Sequence, residues 1–188
     1  NLIQIKTKVS SLNADVGIAF DGDGDRIGIV DSGSNYITGD KLLYIYASEV
    51  VKNNPGATII SDVKASDMVF SQIKKIGGVP LMWKTGHSFI KEKMRETGAL
   101  LAGEMSGHIF FADKYFGYDD ALYASIRLLE ILSNNKIISS LLKPFSKLVS
   151  TPEIKIYCDD KTKFEIIKKC VPMIKKKYSD VNTIDGIR

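Results

Sequence analysis

The sequence predicts an α/β fold: a mainly parallel sheet of βαβ units, with partial domains at both ends. Two observations carry this prediction. Between residues 57 and 133, short apolar runs typical of buried strands alternate with segments of helical length, and this alternation is typical of parallel sheets. In addition, 44% of the 188 residues are hydrophobic and 26% are charged. This ordinary globular usage excludes a disordered or collagen-like chain.

The individual elements follow from periodicity and from turn residues. Apolar positions in residues 2–12 fit the last turns of an amphipathic helix, and the apolar runs 16–20 and 27–30 fit buried strands. Further helices are predicted at 41–53, 66–76, 88–97, 119–133 and 161–178, and further strands at 57–61, 79–83, 99–102 and 153–158. Asp40 is the candidate N-cap of the 41–53 helix. The 119–133 helix is expected to bury Leu122, Ile126, Leu129 and Ile131.

Clusters of turn residues suggest two domain boundaries. One lies at Asp31–Asn35 and the other near Pro144–Pro152, which divides the chain into residues 1–35, 36–146 and 147–188. The chain begins with Asn1 in a helical pattern, so we expect it to be part of a longer polypeptide.

Charge and cysteine content exclude several classes of protein. Lys and Arg exceed Asp and Glu by 26 − 22 = 4, which suits an anionic ligand. The basic residues form no stripe interleaved with aromatics, so we expect no nucleic-acid partner. No apolar run approaches the roughly 18 residues of a membrane helix, and no signal peptide precedes the first strand, so no membrane partner is expected. The two cysteines, Cys158 and Cys170, form no metal or disulfide pattern, which favours a cytoplasmic location.

Three carboxylates follow the first apolar strand at alternate positions. Asp21, Asp23 and Asp25 are separated by glycines in the run Asp-Gly-Asp-Gly-Asp-Arg. Crowding three negative charges is unfavourable unless a cation neutralises them, and glycines let alternate side chains converge. Oxygen ligands of this kind suit Mg²⁺ or Ca²⁺. The loop is therefore a candidate metal site, with a solvated acidic turn as the alternative, and Arg26 is a candidate phosphate clamp.

Polar residues of the middle region follow the predicted strands, where the carboxyl ends of parallel strands share one edge of a sheet. Both histidines of the chain lie beside glycine in such loops. Glu and Ser can hydrogen-bond vicinal hydroxyls, whereas Lys and His can bind phosphate or move protons. This mixture favours a sugar-phosphate site over separate structural roles. The candidate residues are Lys64, His87, Glu104, Ser106 and His108.

The chain resembles the α-D-phosphohexomutases, most closely their bacterial phosphomannomutase/phosphoglucomutase branch. Four motifs occur in the family's order: the aspartate loop at 21–26, Asp-Val-Lys at 62–64, Trp-Lys-Thr-Gly-His-Ser-Phe-Ile-Lys at 83–91 and Gly-Glu-Met-Ser-Gly-His at 103–108. The resemblance implies that hexose phosphates are the substrates. A phosphoserine would convert hexose 1-phosphate into a hexose 1,6-bisphosphate intermediate, which reorients and returns its other phosphate to the serine.

The resemblance also implies a role for each matching residue. Asp21, Asp23 and Asp25 would bind Mg²⁺. Arg26 would lie near the phosphoryl group, and Glu104 and Ser106 would bind sugar hydroxyls. The reacting hydroxyl and phosphate would be lined by Lys64, His87 and His108, with His108 in acid/base work.

Family members have four domains, so the resemblance implies that this chain is a fragment. Residues 1–35 would end the metal-binding domain, 36–146 would form the sugar-binding domain, and 147–188 would begin the C-terminal domain. The chain contains no loop similar to the family's Thr-Ala-Ser-His-Asn-Pro phosphoserine loop. We therefore expect the chain alone to be inactive without the flanking domains of the same polypeptide.

Two alternatives stay open at the level of sequence. A haloacid-dehalogenase-like phosphatase also places Asp-x-Asp after an apolar strand and would use Asp21 as nucleophile, but its motif has Thr or Val where this chain has Asp25. A stand-alone module that binds a metal or a sugar phosphate is the non-enzymatic alternative.

Overall fold

The contacts of the computed structural model divide the chain into two units, residues 1–146 and 147–188. The structure describes residues 2–134, 137–146, 154 and 156–188. Within these ranges, no helix combines the length and the apolar character that crossing a membrane requires. The boundary proposed at residue 35 lies inside the first unit, and the three-domain division stays a prediction.

The first unit opens with a helix and a small antiparallel sheet. Helix α1 (Ile3–Leu12) precedes three strands in the order β1 (Val16–Phe20), β2 (Ile27–Asp31) and β3 (Tyr36–Ile37). The aspartate loop is thus the hairpin connection between β1 and β2, closed by the Asp21 amide, which donates to the Arg26 carbonyl at 3.3 Å. With only two residues, β3 is too short to show a sequence periodicity, and it was not predicted.

A second, mainly parallel sheet follows, as predicted, with strand order β5-β4-β6-β7. Strand β4 (Thr58–Asp62) lies parallel to β5 (Val79–Trp83) and to β6 (Leu101–Gly103), and the edge strand β7 (Ile109–Phe111) is antiparallel to β6. The helices of this region are α2 (Gly39–Asn53), α3 (Asp67–Lys75), α4 (His87–Thr97) and α5 (Ala121–Ser133). Strand β7 was not predicted, because it has only three residues and directly follows a polar turn.

The two faces of this sheet bury alternate side chains, as the two-residue period of a strand requires. Ile59 and Leu101 belong to a core cluster shared with α2, α3 and α5. Their neighbours Ile60 and Ala102 belong to a second cluster shared with α4. The sheet is therefore covered by helices on both faces, and the ends of β4, β5 and β6 stay open for loops.

Helix α2 begins earlier than predicted. Its N-cap is Thr38, so Asp40 lies in the first turn and is not the cap. The Asp40 carboxylate instead accepts hydrogen bonds from the Lys41 amide at 2.8 Å and from the Ser66 amide at 3.0 Å. Asp40 thereby ties the start of α2 to the loop after β4.

The predicted buried face of α5 was wrong at three of four positions. Leu122, Ile126 and Leu129 are exposed, and of the four only Ile131 is buried. The helix instead buries the side that carries Ala124, Arg127 and Leu128. Two specific contacts fix this rotation: Tyr46 Oη donates to the Ala124 carbonyl at 2.8 Å, and Arg127 pairs with Asp113 at 2.9 Å.

Short elements complete the two units. Helix α6 (Ile138–Leu141) and a 3₁₀ turn at Lys143–Phe145 end the first unit, and α7 (Lys163–Lys177) lies in the second. The predicted strand 153–158 falls partly outside the described residues. Among those described there, 154 and 156–158, none is in a strand.

Candidate active site

The aspartate loop is shaped by its own first carboxylate. Asp21 Oδ1 accepts hydrogen bonds from the backbone amides of Gly24 at 3.1 Å and Arg26 at 3.2 Å. Gly24 has a φ of 76°, a conformation that glycine adopts without steric cost. The turn brings carboxylate oxygens of Asp21, Asp23 and Asp25 within 4.8 Å of one another. The structure thus brings the three predicted metal ligands together.

The charges of this loop suit a bound cation. Asp25 Oδ1 is buried without a hydrogen-bond donor, and burial raises the pKa of Asp25 despite the nearby His108. Burial also opposes the ionisation of Asp21, but the hydrogen bond and charge of Arg26 outweigh it and lower the pKa of Asp21. Arg26 Nε lies 2.5 Å from Asp21 Oδ2. Arg26 Nε also lies 3.8 Å from Asp25 Oδ1. The three carboxylates thus share one guanidinium, and an oxygen-only set that keeps a net negative charge fits Mg²⁺.

The loop after β6 carries Glu104, which is 2% exposed. Its Oε1 accepts a hydrogen bond from the Gly86 amide at 2.5 Å. The loop is a tight turn, in which the Gly107 amide donates to the Glu104 carbonyl and the Glu104 amide to the His108 carbonyl, both at 3.0 Å. Glu104 is therefore held against the loop that carries His87.

Two glycines allow other elements to approach this turn. A Cβ on Gly39, at the start of α2, would lie 2.2 Å from the Glu104 carbonyl oxygen. A Cβ on Gly107 would lie 2.6 Å from the Ile27 carbonyl oxygen. Since real Cβ atoms do not approach backbone oxygens this closely, both positions require glycine.

Backbone hydrogen bonds join the aspartate loop to the Glu104 turn. The Ile27 amide donates to the Gly107 carbonyl at 3.1 Å, and Arg26 and His108 form an antiparallel bridge. The Ala121 amide, at the start of α5, donates to the Gly24 carbonyl at 3.0 Å. The candidate metal loop and the candidate sugar loop are therefore one hydrogen-bonded assembly.

The two histidines stack at the centre of this assembly. Their ring centroids are 5.7 Å apart with an interplanar angle of 23°. His108 Nδ1 lies 3.7 Å from Asp25 Oδ2, which places this histidine beside the aspartate loop. The side chain of His87 is 53% exposed and that of His108 only 13%.

The remaining predicted residues lie at the rim. Lys64 and Ser106 are exposed, and the contacts above do not include their side chains. The charge of Lys64 acts on the Asp62 carboxyl at the end of β4. Of the five predicted residues, the structure thus brings His87, Glu104 and His108 together. Lys64 and Ser106 lie beside this group on their own loops.

Sequence reasoning gave no role to three charged residues of the site, although Asp62 and Lys91 lie within the quoted motifs. Asp119 contacts both histidines and Lys91, and Asp62 accepts a hydrogen bond from the Met105 amide at 3.3 Å. The neighbouring Asp120 offers a clue to Asp119. Asp120 caps α5 by accepting a hydrogen bond from the Tyr123 amide at 2.9 Å, so Asp119 has no capping role. Lys91 is four residues after His87 on α4, which places both on one helix face.

The comparisons with known proteins agree with this architecture. The model of the phosphoglucomutase/phosphomannomutase α/β/α domain III matches residues 38–150, more than half of the chain. A phosphomannomutase/phosphoglucomutase of Pseudomonas aeruginosa is 49% identical over 189 aligned residues, which cover the whole chain and 41% of that protein. A phosphoglucomutase of Neisseria gonorrhoeae is 43% identical over 190 residues, with the same coverage of 100% and 41%.

A solved structure gives the same result for the fold. The crystal structure of a phosphoglucomutase/phosphomannomutase family protein from Burkholderia thailandensis superposes with a TM-score of 0.88 at 44% identity, covering 100% of this chain and 40% of that one. The chain thus spans about 41% of the length of the curated relatives it matches. The chain belongs to the phosphoglucomutase/phosphomannomutase family and contains its α/β/α domain III.

Proposed function

We propose that this chain supplies the metal-binding and sugar-binding loops of an α-D-phosphohexomutase. The complete enzyme would interconvert the 1-phosphate and 6-phosphate of glucose or mannose through a phosphoserine outside this chain and a hexose 1,6-bisphosphate intermediate. The observation that carries the proposal is the pairing of the aspartate loop with the Glu104 turn, through the Ile27–Gly107 hydrogen bond and the Arg26–His108 bridge.

Asp21, Asp23 and Asp25 would hold Mg²⁺. The fit rests on the three converging carboxylates and on the buried Asp25 Oδ1 that has no donor. When bound, the cation would neutralise negative charge that accumulates on the phosphoryl group during transfer. Arg26 adds a second positive charge beside the same carboxylates.

The other residues would bind and orient the sugar phosphate. Glu104, a buried acceptor, would receive hydrogen bonds from sugar hydroxyls together with Ser106 at the tip of the turn. Lys64 and His87 would contact phosphate oxygens from the rim. His108 would take the proton of the hydroxyl that receives the phosphate, because it lies between the candidate metal loop and the sugar loop.

The two alternatives are less well supported. The family match and the 49% identity to a phosphomannomutase/phosphoglucomutase disfavour a haloacid-dehalogenase-like phosphatase. A stand-alone binding module would need neither a phosphoserine nor flanking domains, and an assay of turnover separates it from the mutase.

The experiment is to purify the complete polypeptide that carries this chain. Conversion of glucose 1-phosphate and mannose 1-phosphate is then measured with Mg²⁺ and with a chelator. The proposal predicts Mg²⁺-dependent formation of the 6-phosphates, primed by hexose 1,6-bisphosphate, and no turnover by the 188-residue chain alone. Absence of turnover by the complete polypeptide would contradict the mutase, and turnover by the chain alone would contradict a phosphoserine outside it.

A further inference from the structure

Asp119, which has no role in the proposed function, lies at the centre of a charged cluster with Lys91, His87 and His108. Its side chain is 8% exposed. Its Oδ1 accepts a hydrogen bond from Lys91 Nζ at 3.0 Å, and its Oδ2 lies 3.1 Å from His108 Nδ1 and 3.7 Å from His87 Nδ1. One oxygen therefore faces a lysine and the other faces the histidine pair.

The position of this carboxylate is set from three sides. The backbone of Asp119 forms an antiparallel bridge with Phe110 of β7. The next residue, Asp120, caps α5. Lys91, on α4, holds Oδ1 from the opposite layer. Asp119 is thus anchored by a strand, a helix start and an ion pair, which leaves its Oδ2 little freedom to move away from the histidines.

His108 Nδ1 is buried and has no hydrogen-bond partner among the described residues, although Asp119 Oδ2 lies only 3.1 Å away. A buried ring N–H without an acceptor is costly, and Asp119 Oδ2 is an acceptor within hydrogen-bond distance of Nδ1. Asp25 Oδ2, at 3.7 Å, is farther away and belongs to the candidate metal loop.

The charge state of Asp119 matches this role. Burial opposes its ionisation, but the hydrogen bond from Lys91, its own backbone amide and the positive charge of Lys91 outweigh burial and lower the pKa of Asp119. An ionised carboxylate can only accept hydrogen bonds. Ligand atoms of Asp119, His108 and Asp25 also lie within 4.8 Å of one another, but Asp25 already belongs to the candidate metal loop.

We propose that Asp119 is a positioning residue that holds the proton of neutral His108 on Nδ1 and so presents its unprotonated Nε2 to the substrate. The proposal deepens the proposed function, because Nε2 is then the atom that takes the hydroxyl proton. Lys91 supports it indirectly by fixing Asp119. A carboxylate that orients a histidine in this way selects the ring tautomer without itself taking up a proton.

The first test reads the tautomer directly. In the ¹⁵N-histidine-labelled chain at a pH of about 8.5, where an ordinary imidazole is neutral, ¹⁵N NMR distinguishes protonated from unprotonated ring nitrogens. Wild-type His108 is expected to carry its proton on Nδ1. Asp119→Asn should move at least part of the population to Nε2–H, because the amide can donate to Nδ1. A wild-type ring protonated on Nε2, or a tautomer unchanged in Asp119→Asn, would overturn the proposal.

The second test measures turnover in the complete polypeptide. Asp119→Asn is expected to lower kcat by about 10²-fold or more with less than about a threefold change in KM, and Asp119→Glu should recover part of the loss. The matched control is Asp113→Asn, which breaks the buried pair with Arg127 and touches neither histidine. This control should lower stability and leave the His108 tautomer and kcat unchanged.

The outcomes separate the two proposals. An equal kcat loss in Asp113→Asn and Asp119→Asn would reduce Asp119 to a structural role. Absence of wild-type turnover would contradict the proposed function, whereas the NMR measurement would still decide whether Asp119 sets the tautomer.

Discussion

At the scale of single residues, Asp62 positions a loop of the site and at the same time lowers the stability of the fold. It is 1% exposed, and its carboxylate accepts long hydrogen bonds from the Met105 amide, at 3.3 and 3.4 Å. Burial, together with the nearby Glu104 and Asp40, outweighs the Met105 hydrogen bond and the charge of Lys64 and raises the pKa of Asp62 to about 6. The carboxylate therefore fixes the Glu104 turn while it destabilises the fold at neutral pH.

This raised pKa predicts a pH-dependent effect of Asp62→Asn. From the ordinary value of 3.8 to about 6, the folded state binds more protons than the unfolded state, so Asp62 makes stability fall as the pH rises through this window. Asparagine keeps an acceptor for the Met105 amide and carries no charge. Urea unfolding should therefore show little difference at pH 4 and a variant more stable by about 3 kcal/mol at pH 7.

Asp15→Asn, at an exposed position, is the control for Asp62→Asn. Its difference in free energy of unfolding should stay nearly constant between pH 4 and 7. A constant difference for Asp62→Asn as well would show that this carboxyl is not buried as described.

Substitutions at two site residues should affect metal binding and sugar binding separately. Asp23→Asn removes a charge from the aspartate loop and should weaken Mg²⁺ binding by the chain at least about tenfold, measured by calorimetry. Glu104→Ala should leave Mg²⁺ affinity within about twofold, because Glu104 contacts the Gly86 amide and none of the three aspartates. Unchanged Mg²⁺ affinity in Asp23→Asn would remove Asp23 from the metal ligands, and a large loss in Glu104→Ala would contradict the division of roles.

At the scale of elements, α5 shows why a buried face is difficult to predict from apolar residues alone. Leu122, Ile126 and Leu129 have the spacing of a helix face, yet they are exposed. The buried face carries Ala124, Leu128 and the paired Arg127. Because a charged residue and small residues on this face weaken the hydrophobic signal of Leu128, the rotation is set by tertiary contacts that a single sequence does not show.

The orientation of α5 predicts opposite results for two adjacent leucines. Leu128→Ala deletes a side chain that is 0% exposed and should lower the free energy of unfolding by about 2–5 kcal/mol. Leu129→Ala changes a side chain that is 48% exposed and should cost about 0.5 kcal/mol or less. Urea unfolding of both variants is the measurement, and equal losses would contradict the observed rotation.

The predictability of the site follows the same division. The aspartate loop, the Glu104 turn and both histidines carry chemistry in their residue types, and local motifs predict that they matter. Asp119 looks like an ordinary residue at a helix start, and Lys91 like an ordinary helix lysine at the end of a motif. Only the tertiary structure brings Asp119 to both Lys91 and His108. The main sheet was predictable from strand–helix alternation, whereas the two- and three-residue strands β3 and β7 form by pairing with longer neighbours.

At the scale of the whole molecule, the two sheets meet at the candidate site. The antiparallel sheet contributes the aspartate loop, and the parallel sheet contributes the loops after β4, β5 and β6. The Ile27–Gly107 hydrogen bond and the Arg26–His108 bridge join them. We therefore propose that one site, assembled from both sheets, serves each phosphoryl transfer of the reaction.

A double-mutant cycle on kcat/KM in the complete polypeptide tests this claim most directly, with Asp23→Asn, Glu104→Ala and the double variant. Residues that act together in one transition state have effects that do not add. We predict that the double variant loses substantially less activity than the product of the two single fold-losses. Losses that multiply without any coupling would show that the two loops act independently and would contradict a single assembled site.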